Sequence, residues 1–310
     1  MRLVRWQQIL LILVTFYVGQ VFAAGKIDDL LEQADKVRSS DRVSFNRVMS
    51  ELAAHKSQMS SEQFNVLQLL EGYKAGIEGN YKSAETLLNQ LINSDALLEV
   101  RFRAAFTLAN IQSLSRNFVP AFTNLNLALS WIDKIEKPEL RVQVLISAAY
   151  TYSESGLFDE SQSYILQARQ NTLTNRDSCL LGLLYRQNMH SRNETYEGEQ
   201  VSEIEQACTS ANERLALAFM TALDAQLLES KQQHAAAYTL LQDGLAAAEQ
   251  SKYPRLIADY YLGLARTSYA LKEVTSATLY LDKIHAMNQS LGFSMPLVRS
   301  YELQTQIAEE

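Results

Sequence analysis

From about residue 60 onward, apolar residues return every three or four positions, as at Leu88, Leu91 and Ile92, or at Ile165 and Ala168. That period places them on one face of a helix. Short polar turns interrupt the pattern, and five of them share one order: two turn-forming positions, an aromatic or comparable residue, then a small residue three later. The turns begin at Gly79, Arg116, Gly156, Gln232 and Lys272, and their small residues are Ala84, Ala121, Ser161, Ala237 and Ala277. A second small residue stands twelve positions before each, at Gly72, Ala109, Ala149, Ala225 and Ala265. A sixth copy reads Leu181-Gly182-Leu183-Leu184-Tyr185, its second half disturbed by the polar stretch from Ser191 to Glu199. The leading small residues are then 37, 40, 33, 43 and 40 positions apart. Each unit predicts two antiparallel helices whose small residues face one another, with the post-turn aromatic filling the gap beside them. One such hairpin cannot bury its apolar faces alone, so neighbours must stack to complete a core.

Other signals agree. Glycine (11) and proline (4) are scarce, which favours long helices joined by short turns. Asp41, Ser60 and Ser61 suit helix amino-terminal caps, and Pro138, Pro254 and Pro296 suit first helical turns. No a/d heptad lasts beyond two turns, which argues against a coiled coil. The fold class is all-α.

These residues resemble the tetratricopeptide repeat. The matching positions are the Leu-small pair of the first helix (Leu108-Ala109, Leu181-Gly182, Leu264-Ala265) and the aromatic three later (Tyr152, Tyr185). After the turn come its aromatic (Tyr81, Phe118, Phe158), the small residue of the second helix, and a further Ala seven on (Ala128, Ala168). The consensus Trp is absent and the spacing is irregular. The resemblance implies a right-handed α-α superhelix of about six hairpins. The organisation expected is a signal peptide over 1–23, a helical cap over 24–59, repeats over 60–293 and a last helix over 294–310, which reads as another first helix.

The amino terminus carries Arg2 and Arg5, then an apolar run from Ile9 to Val18 that is short for the ~30 Å of a bilayer core. Val21 and Ala23 suit cleavage after Ala23, so a secretory signal is expected, with an uncleaved anchor as the alternative. Cleavage would take the net charge from −7 to −9. No later stretch approaches 18 apolar residues, so the mature chain is not expected to span a membrane. Export to an oxidising compartment, the periplasm, makes Cys179 and Cys208 a candidate disulfide, the alternative being two buried thiols.

Chemistry is sparse. His55, His190, His234 and His285 lie far apart, with no metal-ligand spacing, phosphate loop or nucleophile elbow, so neither enzyme activity nor a cofactor is expected. No Lys/Arg run exceeds a dipeptide, which excludes nucleic acid as a natural partner. The expected partner is a protein or peptide held on the concave face, which first helices line. Alignment on the small residue directs Tyr73, Arg103, Asn110, Gln143, Tyr150, Arg186, Gln226, Arg266 and Tyr269 that way. The Lys/Asn set with which some tetratricopeptide proteins clamp a peptide carboxylate is not evident at the matching positions. A small-molecule receptor with an enclosed apolar cavity inside the superhelix, and a hydrolase with a clustered acid/base pair, are competing readings that are not expected to hold.

Taken whole, the chain is similar to the periplasmic sensor region that precedes a membrane helix and a GGDEF diguanylate cyclase domain in bacteria. It carries no GGDEF motif, so the resemblance implies sensing and no cyclase activity. The reading preferred is a periplasmic interaction scaffold, with the sensor region as the alternative.

Overall fold

A computed structural model describes residues 25–192, 194, 199–292 and 294–309. The expected signal peptide and most of the polar stretch after Ser191 lie outside the described residues. A first helix, α1 (residues 25–37), is followed by α2 (Arg42–Ala54), capped by the Asp41 carboxylate, which accepts from the Ser44 amide. Six hairpins follow: α3 (Ser61–Ile77) with α4 (Tyr81–Ile92), α5 (Leu98–Leu114) with α6 (Phe118–Leu129), and α7 (Pro138–Glu154) with α8 (Phe158–Arg169). Then come α9 (Asn175–Ser191) with α10 (Glu199–Ser210), α11 (Arg214–Ser230) with α12 (His234–Gln250), and α13 (Pro254–Ala270) with α14 (Val274–Ala286). A short α15 (Asn288–Leu291) leads to α16 (Met295–Glu309). There is no strand among the described residues.

Every first helix of a hairpin is 17 residues long. Each packs on its partner, on the next hairpin and on the next first helix, and α16 closes the stack against α13 and α14. The small residues explain the closeness. Ala109, Ala149, Ala225 and Ala265 are fully buried, as are Ala84, Ala121, Ala237 and Ala277 opposite them. At Gly72 the approach is tighter still, since a Cβ there would stand 2.8 Å from the Leu88 side chain. The core is accordingly a row of clusters along the solenoid, each shared by neighbouring hairpins.

The turns are one device repeated. Gly79, Arg116, Gly156, Gln232 and Lys272, the first residue of each recurring turn, all have positive φ (81°, 58°, 83°, 60° and 66°). The amide after each reaches back to the carbonyl five residues earlier, as Asn80 to Ala75 (2.8 Å) and Glu273 to Ser268 (2.8 Å). That satisfies the last helical carbonyls and fixes the reversal. Ser60 forms a capping box with Gln63, and Pro138 and Pro254 open α7 and α13. Thr174 and Asp177 form a second capping box, at α9.

The solenoid curves until its ends meet. Ser39, in the α1–α2 link, donates to the Glu213 carboxylate (3.1 Å) and accepts from Arg176 Nη2 (3.0 Å), so it touches the starts of α9 and α11. On the other side, a Cβ on Gly292, between α15 and α16, would lie 3.1 Å from the Tyr81 ring of α4. The cysteines pair as a disulfide joining α9 to α10, with both sulfurs buried and Cα atoms 4.7 Å apart.

Candidate functional site: the cavity inside the superhelix

Because the coil returns on itself, its concave face forms a half-open cavity of about 740 Å³. All six first helices line it, joined by the α1–α2 link and by α16. Residues one position after the leading small residue supply the lining in each repeat: Tyr73, Asn110, Tyr150, Leu183, Gln226 and Arg266. A small residue faces the partner helix, so the next one, about 100° round, faces the inside of the curve.

Six of the nine residues named from the sequence are therefore on the cavity wall: Tyr73, Asn110, Gln143, Tyr150, Gln226 and Arg266. Three are not. Arg103 has the right phase, but α1 covers the start of α5 and its Asp35 carboxylate pairs with Arg103 and with Arg38. Arg186 and Tyr269 stand four positions after the small residue and face elsewhere. Arg186 is 1% exposed and pairs with Asp224 of α11. Tyr269, at the end of α13, lies under the Lys272 ammonium at the following turn (5.9 Å).

The wall also holds residues the sequence reading missed. Arg176 and Asp259 sit six positions before their small residues, the register of Gln143, so the repeat phase could have found them. Arg38, Tyr253 and Arg299 lie on links or on α16, and only closure of the coil brings them in.

Three polar groups shape the wall. At the seam, Arg176 Nε bonds Glu213 (2.9 Å), a carboxylate that is 1% exposed, with Ser39 bridging them. Burial, then the neighbouring Arg176 and Arg103 guanidinia, pull the Arg38 pKa down to about 9, which still leaves it a cation at neutral pH. In the second group Arg255 lies between two carboxylates, Glu154 (3.5 Å) and Asp259 (3.3 Å). Burial opposes the Arg255 charge, but those two carboxylates hold its pKa above the usual range. Burial also pushes up the phenols of Tyr150 and Tyr253 and the carboxyl of Asp259. The phenols thus stay protonated as hydrogen-bond donors. In the third group Arg266 grips Glu229 with two bonds (2.7 and 3.1 Å) beside His190. Burial, then the Arg299 and Arg266 charges, hold the His190 pKa below its ordinary value. No three His, Cys, Asp or Glu side chains converge as metal ligands among the described residues.

The architecture has a counterpart among solved structures. The crystal structure of a Rap protein complexed with competence and sporulation factor superposes with a TM-score of 0.63, at 13% identity, over 89% of this chain and 80% of that one. The chain is a tetratricopeptide-like helical solenoid. No protein-family model matches it, and no curated protein does. The solenoid's likeness to the Rap protein extends over most of both chains, so it concerns the whole coil and not one hairpin.

Proposed function

We propose that this protein is a non-catalytic receptor that holds a short peptide inside its superhelix, in the periplasm. The observation that carries the reading is the cavity itself: about 740 Å³, lined by every first helix. That volume falls within the ~300–1,000 Å³ of small-ligand pockets, which suits a short peptide and is far too small for a folded partner. The expectation of an open groove for a protein thus narrows to an interior site. The wall presents amide side chains along its length, at Asn110, Gln143, Gln187 and Gln226. Each offers both a donor and an acceptor, as a peptide backbone requires. Gln143 Oε1 is buried with no hydrogen-bond donor on it among the described residues, and a ligand N–H would satisfy it. The Rap protein, whose fold is alike, is complexed with competence and sporulation factor.

The two carboxylates that converge, Glu154 and Asp259, are both bonded to Arg255. We read them as a structural clamp and not as an acid/base pair. Export rests on the amino-terminal apolar run, and the bonded cysteines fit an oxidising compartment. One observation favours a sensor of the type that precedes a GGDEF domain. The last helix, α16, contributes Met295, Pro296 and Arg299 to the wall, so a ligand would touch it directly.

The test is to purify the exported, disulfide-bonded chain, denature it and identify released peptides by mass spectrometry. Thr107→Trp, which fills the cavity from α5, runs beside it. Peptide released by the parent and lost from a variant of unchanged circular dichroism supports the reading. No peptide from the parent, with no binding of synthetic peptides by dialysis, overturns it.

A further inference from the structure

The molecule and its cavity differ in charge. The chain carries −7, yet six arginines line the cavity against the three carboxylates Glu154, Glu213 and Asp259. None of the eleven lysines lines it. Selection of arginine matters, because its planar fork matches a carboxylate with two parallel bonds, which an ammonium cannot do. Four of the six are already engaged: Arg38 with Asp35, Arg176 with Glu213, Arg255 with Glu154 and Asp259, Arg266 with Glu229. Arg116 and Arg299 form no ion pair with a carboxylate among the described residues. Arg116 instead covers the Phe118 ring (5.1 Å).

Arg299 is different. It lies on the cavity wall with His190, Arg266 and Gln226, near enough for its charge to act on the imidazole. Glu229 is the acid of that group, and both of its oxygens are taken by Arg266. Two guanidinia and an imidazole therefore share one committed carboxylate on a partly enclosed wall. An anion arriving there gains from all three and displaces no existing pair.

We propose that the ligand is an acidic peptide, one of whose carboxylates is received by Arg299 beside Arg266 and His190. This rests on the peptide reading of the cavity and adds the chemistry of the occupant. The carboxylate could be an Asp or Glu side chain or the peptide's own terminus, and the test separates these.

Unlabelled pools of short peptides, rich in Asp/Glu, in Asn/Gln or in Lys, are equilibrated by dialysis against the disulfide-bonded full chain, and bound peptides are quantified by mass spectrometry. The acidic pool is expected to be retained about tenfold over the Asn/Gln pool, and the Lys pool least. Arg299→Gln should remove most of that preference, and Arg299→Lys should restore part of it. Because Arg299 is exposed, circular dichroism and thermal midpoint should stay unchanged. Repeating both pools with amidated carboxyl termini assigns the contact: a preserved acidic preference means side chains, and retention of both pools that amidation abolishes means the terminus.

Equal retention of acidic and Asn/Gln pools that persists when both are amidated, and that Thr107→Trp abolishes, overturns the acidic inference and leaves the peptide reading standing. So does a preference that survives Arg299→Gln unchanged. Binding of no pool by the parent overturns the peptide reading and the inference with it.

Discussion

At the scale of single residues, three of the five repeat turns put a side chain where the backbone turns left-handed: Arg116, Gln232 and Lys272. An L-residue pays ~1–2 kcal/mol for that conformation, and glycine avoids it. Gln232 is exposed, so Gln232→Gly removes no packing. It is expected to raise stability by ~0.5–1 kcal/mol after the added chain entropy, read as a higher urea midpoint at unchanged slope. Arg186 behaves in the opposite way. It looks like a binding residue in the sequence, but the structure buries it against Asp224. Arg186→Ala should cost ~2–4 kcal/mol, because the partly buried Asp224 carboxylate loses its cation. Retained peptide per folded molecule should be unaffected. A loss of binding without a loss of stability would return Arg186 to the site.

At the scale of helices, most of the architecture was legible because one constraint recurs. Each hairpin has a small residue where its helices cross, and five of the six have a left-handed residue, among the described residues, where the chain reverses. Gly72, Ala109, Ala149, Gly182, Ala225 and Ala265 marked the first, and the turn residues marked the second. The position after the small residue then located much of the cavity wall. Positions four later misled, because Arg186 and Tyr269 share the polar or aromatic character of wall residues while packing toward a neighbour or a turn. Arg38, Tyr253 and Arg299 carried no local signal, since their place depends on how far the coil turns. The disulfide works at this scale too. It fastens α10 to α9 in the disturbed repeat, where Ile204, Ala216 and Met220 form a small core around it. With the cysteines 29 positions apart in sequence, the bridge should contribute about 3–4 kcal/mol by limiting the unfolded chain. A Cys179→Ala, Cys208→Ala chain should lose about that much in urea titration. A loss confined to a fraction of a kcal/mol would mean that the hairpin is held by its core alone.

At the scale of the whole molecule, closure of the coil gathers charges that are distant in sequence, and this makes binding answer to pH. His190 sits among Arg299, Arg266, Gln226 and Glu229, and its pKa is held down by burial and by the two arginines. In the unfolded chain it would titrate near its ordinary value of ~6.5. The folded state therefore binds its proton later as pH falls. The stability tied to neutral His190 is complete above ~6.5 and is lost as pH drops through the depressed folded value. An acidic peptide reverses the local balance, because its carboxylate favours the imidazolium and raises the pKa of His190 in the complex. Between the depressed value and the raised one, binding must take up a proton, and affinity must rise as pH falls. The gain ends near ~4, where the peptide's own carboxylates protonate. Calorimetric titration of an acidic peptide in two buffers of different ionisation heat, near pH 6, measures that uptake directly. The parent should take up a fraction of a proton, and His190→Gln should take up none while retaining the acidic preference that Arg299 confers. Equal uptake by both would place the titrating group elsewhere on the wall. Because Asp259 is also raised by burial, Asp259→Asn is the next variant to titrate, and a peptide seated between Arg255 and Arg299 would feel both groups.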